Sequence, residues 1–165
     1  MDLKSYLDQM GLRYRWSQHS EAFTSPALAR REHVPQEAVV KPVLVKADGE
    51  FLLCALPASY RIDIDRLRME LGAEQIQLAD EADLKTVFGD CETGAEPPVG
   101  WIYGLTTLMD DSLFEDPHVT FQAGTHRDAV TMSFLDYYRL ARPSIGHFAE
   151  QSRQEYRVND IGVSG

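Results

Sequence analysis

Asp48-Gly49 separates two apolar runs, Val39 to Val45 and Phe51 to Leu56. This pattern constrains the chain more than any other. Asp-Gly takes the positive-φ backbone of a two-residue turn, so the flanking runs are expected to fold back as an antiparallel hairpin. Pro42 lies inside the first run and has no N–H, which suggests an edge strand or a bulge there.

Other elements follow from local signals. Leu3, Tyr6, Leu7 and Met10 are spaced as the apolar face of a short helix over 2–10, stopped at Gly11. Leu12 to Trp16 alternates like a strand. Thr24-Ser25-Pro26 starts a helix that runs to about Arg31. Asp63 caps a helix carrying Ile64, Leu67 and Leu71 and ending at Gly72. Gln75 to Leu78 is a short strand, and 80–88 a short helix closed by Gly89. Residues 90–100 form a loop rich in Gly, Pro and acid. Trp101 to Leu105, Thr107 to Met109, Val119 to Phe121 and Ala129 to Met132 are expected as short strands. Ser133 caps a last helix with Phe134, Leu135, Tyr138 and Ala141, and Pro143 stops it.

Strands and helices mix without regular alternation, which predicts an α+β or mixed-sheet domain, not a doubly wound one. The 165 residues suit one domain. It is expected over 1–143, with 144–165 as a C-terminal tail, partly disordered, because the pattern fades after Pro143.

The net charge of −10 argues against loose binding to DNA or to an anionic membrane, since both require a positive field. The deficit is uneven. Residues 1–46 hold seven Lys/Arg and five Asp/Glu, 47–120 hold four and sixteen, and 121–165 hold five of each. The N-terminal quarter is mildly basic and the middle strongly acidic. Cys54 and Cys91 make neither a disulfide framework nor a C-x-x-C pair, as expected of reduced cytoplasmic cysteines. The N-terminus lacks a signal-peptide pattern, and no apolar run approaches the ~18 residues of a membrane helix.

Four features carry candidate chemistry. Gly94 to Gly100 lies in a loop whose glycines permit close approach to the main chain and whose prolines stiffen it. Such a loop presents backbone N–H groups to an anion or a polarised carbonyl; by composition alone it is also a surface turn. His126, in Ala123-Gly124-Thr125-His126, either moves a proton or simply holds a neighbouring loop. Lys41, flanked by strand residues, is expected on a partly buried face, where it needs an anionic partner or a ligand phosphate. Asp110-Asp111 point to opposite faces of a strand and so form no acid/base pair. One is a candidate for orienting the glycine loop; turn capping is the other reading. His19, His33, His118 and His147 lack metal-ligand spacing, so no metal and no cofactor is expected.

The ordered set is informative: Ser25-Pro26-Ala27-Leu28-Ala29, Val39-Val40-Lys41, Cys91-Glu92, Gly94-x-x-x-Pro98-x-Gly100, Met109-Asp110-Asp111-Ser112-Leu113 and Phe121-x-Ala123-Gly124-Thr125-His126. It resembles the YbaK/prolyl-tRNA-synthetase-associated editing domain family over roughly residues 1–143. The resemblance implies a compact, mixed, partly curled β-sheet with flanking helices. It implies a free-standing aminoacyl-tRNA deacylase that hydrolyses the ester of mischarged tRNA, such as Ala- or Cys-tRNA(Pro), without a metal. Attack is assisted by the substrate's ribose hydroxyl and a water.

By that resemblance Lys41, Gly94 and His126 form the catalytic set. Lys41 grips the tRNA 3′ end, Gly94 belongs to the loop facing the aminoacyl group, and His126 gauges the amino acid. Pro98, Gly100, Asp111, Gly124 and Thr125 surround the substrate. Pro42 after the lysine and Glu96 within the loop depart from the family pattern. The competing class is a non-catalytic ligand-binding or regulatory module that keeps the fold.

Overall fold

The computed structural model describes residues 2–152. The helices are α1 (Leu3–Gln9), α2 (Ser25–Glu32), α3 (Ile64–Leu71), α4 (Glu81–Val87) and α5 (Phe134–Ala141). The strands are β1 (Tyr14–Gln18), β2 (Val40–Ala47), β3 (Glu50–Pro57), β4 (Tyr60–Ile62), β5 (Ile76–Leu78), β6 (Thr107–Asp110), β7 (His118–Gln122), β8 (Asp128–Ser133), β9 (Ser144–Gly146) and β10 (Ala149–Gln151). The mixed α+β class expected from the sequence is the class observed.

The hairpin is present. Ala47 faces Glu50 across Asp48 and Gly49, both at positive φ (49° and 83°). That double positive φ is what a tight, right-twisted hairpin requires. β2 and β3 are central in a five-stranded sheet of order β5-β2-β3-β6-β9, in which β6 and β9 run parallel to their neighbours. A second sheet, β1-β8-β7, is antiparallel, and β4 pairs with β10. A bridge between Val39 and Thr120 joins the two larger sheets.

Pro42 is accommodated by a local gap. β5 covers β2 only over Val45–Ala47, the Ala79 N–H reaches the Leu44 carbonyl, and the Val39 bridge lies at the other end. Pro42 sits between these contacts, on a stretch of β2 with no partner strand on that side.

Short polar side chains start the helices by accepting first-turn N–H groups. Asp2, Thr24, Asp63 and Ser133 cap α1, α2, α3 and α5, and Asp80 with Asp83 forms a capping box on α4. The larger core fills the space between the sheets and α5, with Leu7, Val40, Val99, Met109, Phe121 and Tyr137 among its buried members. A second cluster, including Leu56, Leu67 and Phe148, lies under α3.

Three expectations need correction. Trp101–Tyr103 is a 3₁₀ turn, not a strand: Tyr103 and Leu105 both donate to the Gly100 carbonyl, and Gly104 (φ 73°) closes the turn. The first strand starts at Tyr14, two residues later than the alternation suggests, because Leu12 donates back to Leu7 beyond the end of α1. The fold also does not stop at Pro143. β9 runs beside β6 and β10 beside β4, and Phe148 between them is fully buried. Burying one Phe side chain contributes about 1.5–3 kcal/mol. The Asp110 carboxylate also accepts the Phe148 and Ala149 N–H groups, each at 2.9 Å. The rest of the expected tail, 153–165, lies outside the described residues.

Gly100 is fixed by packing. Its N–H donates to Thr107 Oγ1 at 2.8 Å, and a Cβ there would lie 2.5 Å from that oxygen and 2.9 Å from the Leu105 carbonyl oxygen. Gly100→Ala is expected to destabilise the fold by about 1–3 kcal/mol through overpacking. Urea unfolding measures this, and an unchanged midpoint would contradict the assignment.

Candidate active site

A cleft of about 380 Å³ opens along the unpaired stretch of β2. Lys41, Pro42, Val43 and Leu44 line it from β2, and Phe23, Thr24 and Ser25 from the start of α2. Gly94 and Glu96 come from the glycine loop, and Leu78, Ala79 and Leu84 complete the lining. Lys41 and Gly94, far apart in sequence, therefore share one cavity.

Lys41 is half-buried and donates to the Ala58 carbonyl at 3.3 Å. Burial removes solvent from its ammonium and holds its pKa below the ordinary lysine value. Among the described residues no carboxylate lies within ion-pair distance of it.

Gly94 has φ +90°. Its N–H donates to both oxygens of the Glu96 carboxylate, at 3.0 and 3.1 Å. A Cβ at Gly94 would meet His126 Cε1 at 3.4 Å, so the loop lies directly against the imidazole.

Backbone bonds fasten this loop to the β7–β8 turn. The Glu92 N–H donates to the Gly124 carbonyl and the Gly124 N–H to the Ala95 carbonyl, both at 2.8 Å. His126 adds a third tie. It is buried, with Nε2 2.9 Å from the Thr93 carbonyl oxygen and Nδ1 3.2 Å from that of Ala22. A neutral ring donates to one of these carbonyls, and only the imidazolium donates to both. The Phe23 ring covers the imidazole, with centroids 4.7 Å apart. His126 does not line the cleft. It holds the segment that does.

The remaining candidates divide. The Pro98 carbonyl accepts the Tyr137 hydroxyl at 2.8 Å, which anchors the loop to α5. Gly100 is a packing position, as described above. The Thr125 hydroxyl donates to Asp128 at 2.6 Å and accepts the Arg127 and Asp128 N–H groups, so it closes the turn. Gly124 and Thr125 line a separate hollow behind the loop, with Cys91 and Tyr103.

Asp111 lines neither cavity, and its carboxylate meets His147 Nδ1 at 3.0 Å. Its neighbour Asp110 is fully buried and takes Ser112 on one oxygen and Phe148 and Ala149 on the other. Neither aspartate orients the glycine loop. The fold brings Asp110, Asp111 and His147 within 4.8 Å of one another, a juxtaposition hidden by their separation in sequence. The oxygens of Asp110 are already filled by those donors.

Burial pushes the Cys54 thiol up to about 12 and the Cys91 thiol up to about 11, so neither is a thiolate nucleophile near neutral pH. Sequence reasoning missed Phe23 and Tyr137 and gave Glu96 no role. Nothing in the local pattern marks the first two. Glu96 was visible only as an acid in an otherwise neutral glycine-proline stretch.

Comparison with known proteins decides the family. The model of the aminoacyl-tRNA editing domain matches residues 19–140. The chain belongs to that family. Its enzyme class is aminoacyl-tRNA deacylase, a hydrolase of carboxylic ester bonds. A curated relative is the multifunctional Ser/Thr-tRNA deacylase ProXp-y of Escherichia coli K12, 28% identical over 151 residues, covering 88% of this chain and 90% of that protein. A proline–tRNA ligase of Halalkalibacterium halodurans is 32% identical over 93 residues, covering 56% of this chain and 16% of the ligase. Among solved structures, that of hypothetical protein APE2540 has the same fold, with a TM-score of 0.81 at 18% identity over 90% of this chain and 99% of that one. Among the described residues no helix is long and apolar enough to cross a membrane.

The Asp111–His147 pair gives a pH test. Its hydrogen bond with the Asp111 carboxylate raises the His147 pKa above 6.5. A raised folded-state value means that the stabilisation is fully present below 6.5 and is lost as pH rises through the raised value. Asp111→Asn is therefore expected to lower the urea midpoint in acidic buffer but not in alkaline buffer. Equal losses in both would contradict the pairing.

Proposed function

We propose that this chain acts in trans on mischarged tRNA, hydrolysing the ester between the amino acid and the terminal ribose. The observation that supports this most is the convergence of Lys41 and Gly94 on one cleft. The Lys41 ammonium, without a carboxylate partner among the described residues, is available to a phosphate of the 3′ end. The glycine loop lies where it would face the aminoacyl ester.

The ester is already activated, so hydrolysis requires a polarised carbonyl and a positioned attacking oxygen. A substrate-assisted mechanism supplies the second from the ribose hydroxyl and a water. It needs no protein nucleophile, in accord with the two raised thiols. It also needs no metal in the cleft, whose lining offers one carboxylate and no imidazole or thiol. Phe23, exposed on the rim, offers a ring face on which the terminal adenine can stack.

Lys41 is the cationic residue of the lining, and a single such charge suits a contact with the 3′ end alone and not with the tRNA body. The ProXp-y relative makes Ser- and Thr-tRNA the first substrates to try, beside Ala- and Cys-tRNA(Pro).

A panel of these mischarged tRNAs tests the reading. At least one is expected to lose its amino acid well above the uncatalysed rate. Lys41→Ala is expected to lower kcat/KM by about tenfold or more, as for a lost charge-assisted contact. No turnover of any aminoacyl-tRNA would favour the non-catalytic binding module. An unchanged rate in Lys41→Ala would remove the lysine from the site.

A further inference from the structure

Glu96 is the side chain in the cleft that the deacylase reading leaves without a task. It is only 5% exposed, and it lines the cleft beside Gly94. A carboxylate has room for about four hydrogen bonds. Among the described residues Glu96 receives one N–H, that of Gly94, shared between its two oxygens. No cationic side chain lies within 4.0 Å of it among the described residues. A buried carboxylate without a counter-charge is costly and gains strongly from a cation.

The cation is not supplied by Lys41. Lys41 and Glu96 are the two charged residues of the lining, and they make no ion pair with each other. Among the described residues, the cleft thus carries one cationic and one carboxylate side chain, neither with a partner of opposite charge. A metal ion is a poor match, since one carboxylate with no further acid, imidazole or thiol in the lining is a thin ligand set. An organic ammonium fits, because it can use the remaining carboxylate lone pairs at hydrogen-bond range.

An aminoacyl-tRNA 3′ end bears both complementary charges, phosphates on the nucleotide and an ammonium on the α-carbon. We propose that Glu96 binds the free α-ammonium group of the aminoacyl ester and so restricts the substrate class to tRNAs carrying an unblocked amino acid. This inference rests on the deacylase reading above. Every unblocked amino acid presents that ammonium, so Glu96 reads the class and leaves side-chain choice to the rest of the cleft. Peptidyl-tRNA and N-acylated aminoacyl-tRNA have an amide in its place. They would leave Glu96 buried and unpaired, and would be rejected.

Two substrates and one variant test this. On the wild-type protein, kcat/KM for Ser-tRNA is expected to exceed that for N-acetyl-Ser-tRNA by about tenfold or more, the scale of one hydrogen bond to a charged group. Glu96→Gln keeps an oxygen for the Gly94 N–H but loses the charge. It is expected to lower the rate on Ser-tRNA and to treat the two substrates alike. Equal wild-type rates on both substrates, or full discrimination retained in Glu96→Gln, would overturn the assignment.

A binding arm separates this inference from the deacylase reading. The probes are 3′-(L-serylamino)-3′-deoxyadenosine 5′-phosphate, whose amide cannot be hydrolysed as an ester, and its N-acetyl form. Titration calorimetry on wild type and Glu96→Gln reads the ammonium contact whether or not any tRNA is turned over. Tighter binding of the free amine by wild type alone supports it, and equal binding of the two probes overturns it. Failure of every tRNA to react would count against the deacylase reading and leave the calorimetry to decide Glu96.

Discussion

Gly124 ties the site's two loops together through its backbone. Its carbonyl accepts Glu92 and its N–H donates to Ala95, so the loop that begins at Asp90 is fastened to the turn between β7 and β8. Each bond is worth only about 0.5–1.5 kcal/mol net, but breaking either strands a polar backbone group. The ties around them point the same way. His126 holds Thr93, Tyr137 holds Pro98, and Thr107 holds the Gly100 N–H. Together they fix Gly94 and Glu96 against the open edge of β2, where Lys41 stands. The cleft exists because β5 covers only the far end of β2 and because Pro42 tolerates the uncovered stretch.

This frame explains how two opposite charges can face one cavity without neutralising each other. A flexible loop would let Glu96 reach the lysine and close an ion pair. A loop pinned at Thr93, Ala95, Pro98 and Gly100 cannot easily do so, and Lys41 is held by the Ala58 carbonyl. The desolvation that lowers the Lys41 pKa is part of the same arrangement, since both side chains are held largely out of water. The overall charge of −10 limits how much nucleic acid the protein can hold, and Lys41 is the cationic residue of the cleft.

Much of the fold was legible because its signals are local. The Asp48-Gly49 hairpin, the Thr24, Asp63 and Ser133 caps and the Gly72 stop depend on a few adjacent residues. What was hidden depends on distant partners. The run Trp101 to Leu105 has strand-like residues, yet Gly100 and Gly104 fold it into a 3₁₀ turn. Residues 144–151 look like tail because the Asp110 side chain that secures them lies 38 residues earlier. Around the cleft, the ordered motif singled out Lys41, Gly94 and His126. It could not show that the imidazole nitrogens face backbone carbonyls, that Thr125 is spent on Asp128, or that Asp111 turns toward His147. Glu96 was visible as an odd acid, but its place in the cleft follows only from the three-dimensional path of the loop.

The central claim is that the cleft between β2 and the glycine loop receives the aminoacyl end of a tRNA. Amide chemical-shift mapping of the full chain, titrated with the non-hydrolysable serylamino-adenosine phosphate, tests it most directly. The account predicts perturbations concentrated at Phe23, Ser25, Lys41, Val43, Gly94 and Glu96. Perturbations centred instead on Asp111 and His147, or on the hollow around Cys91 and Tyr103, would contradict it.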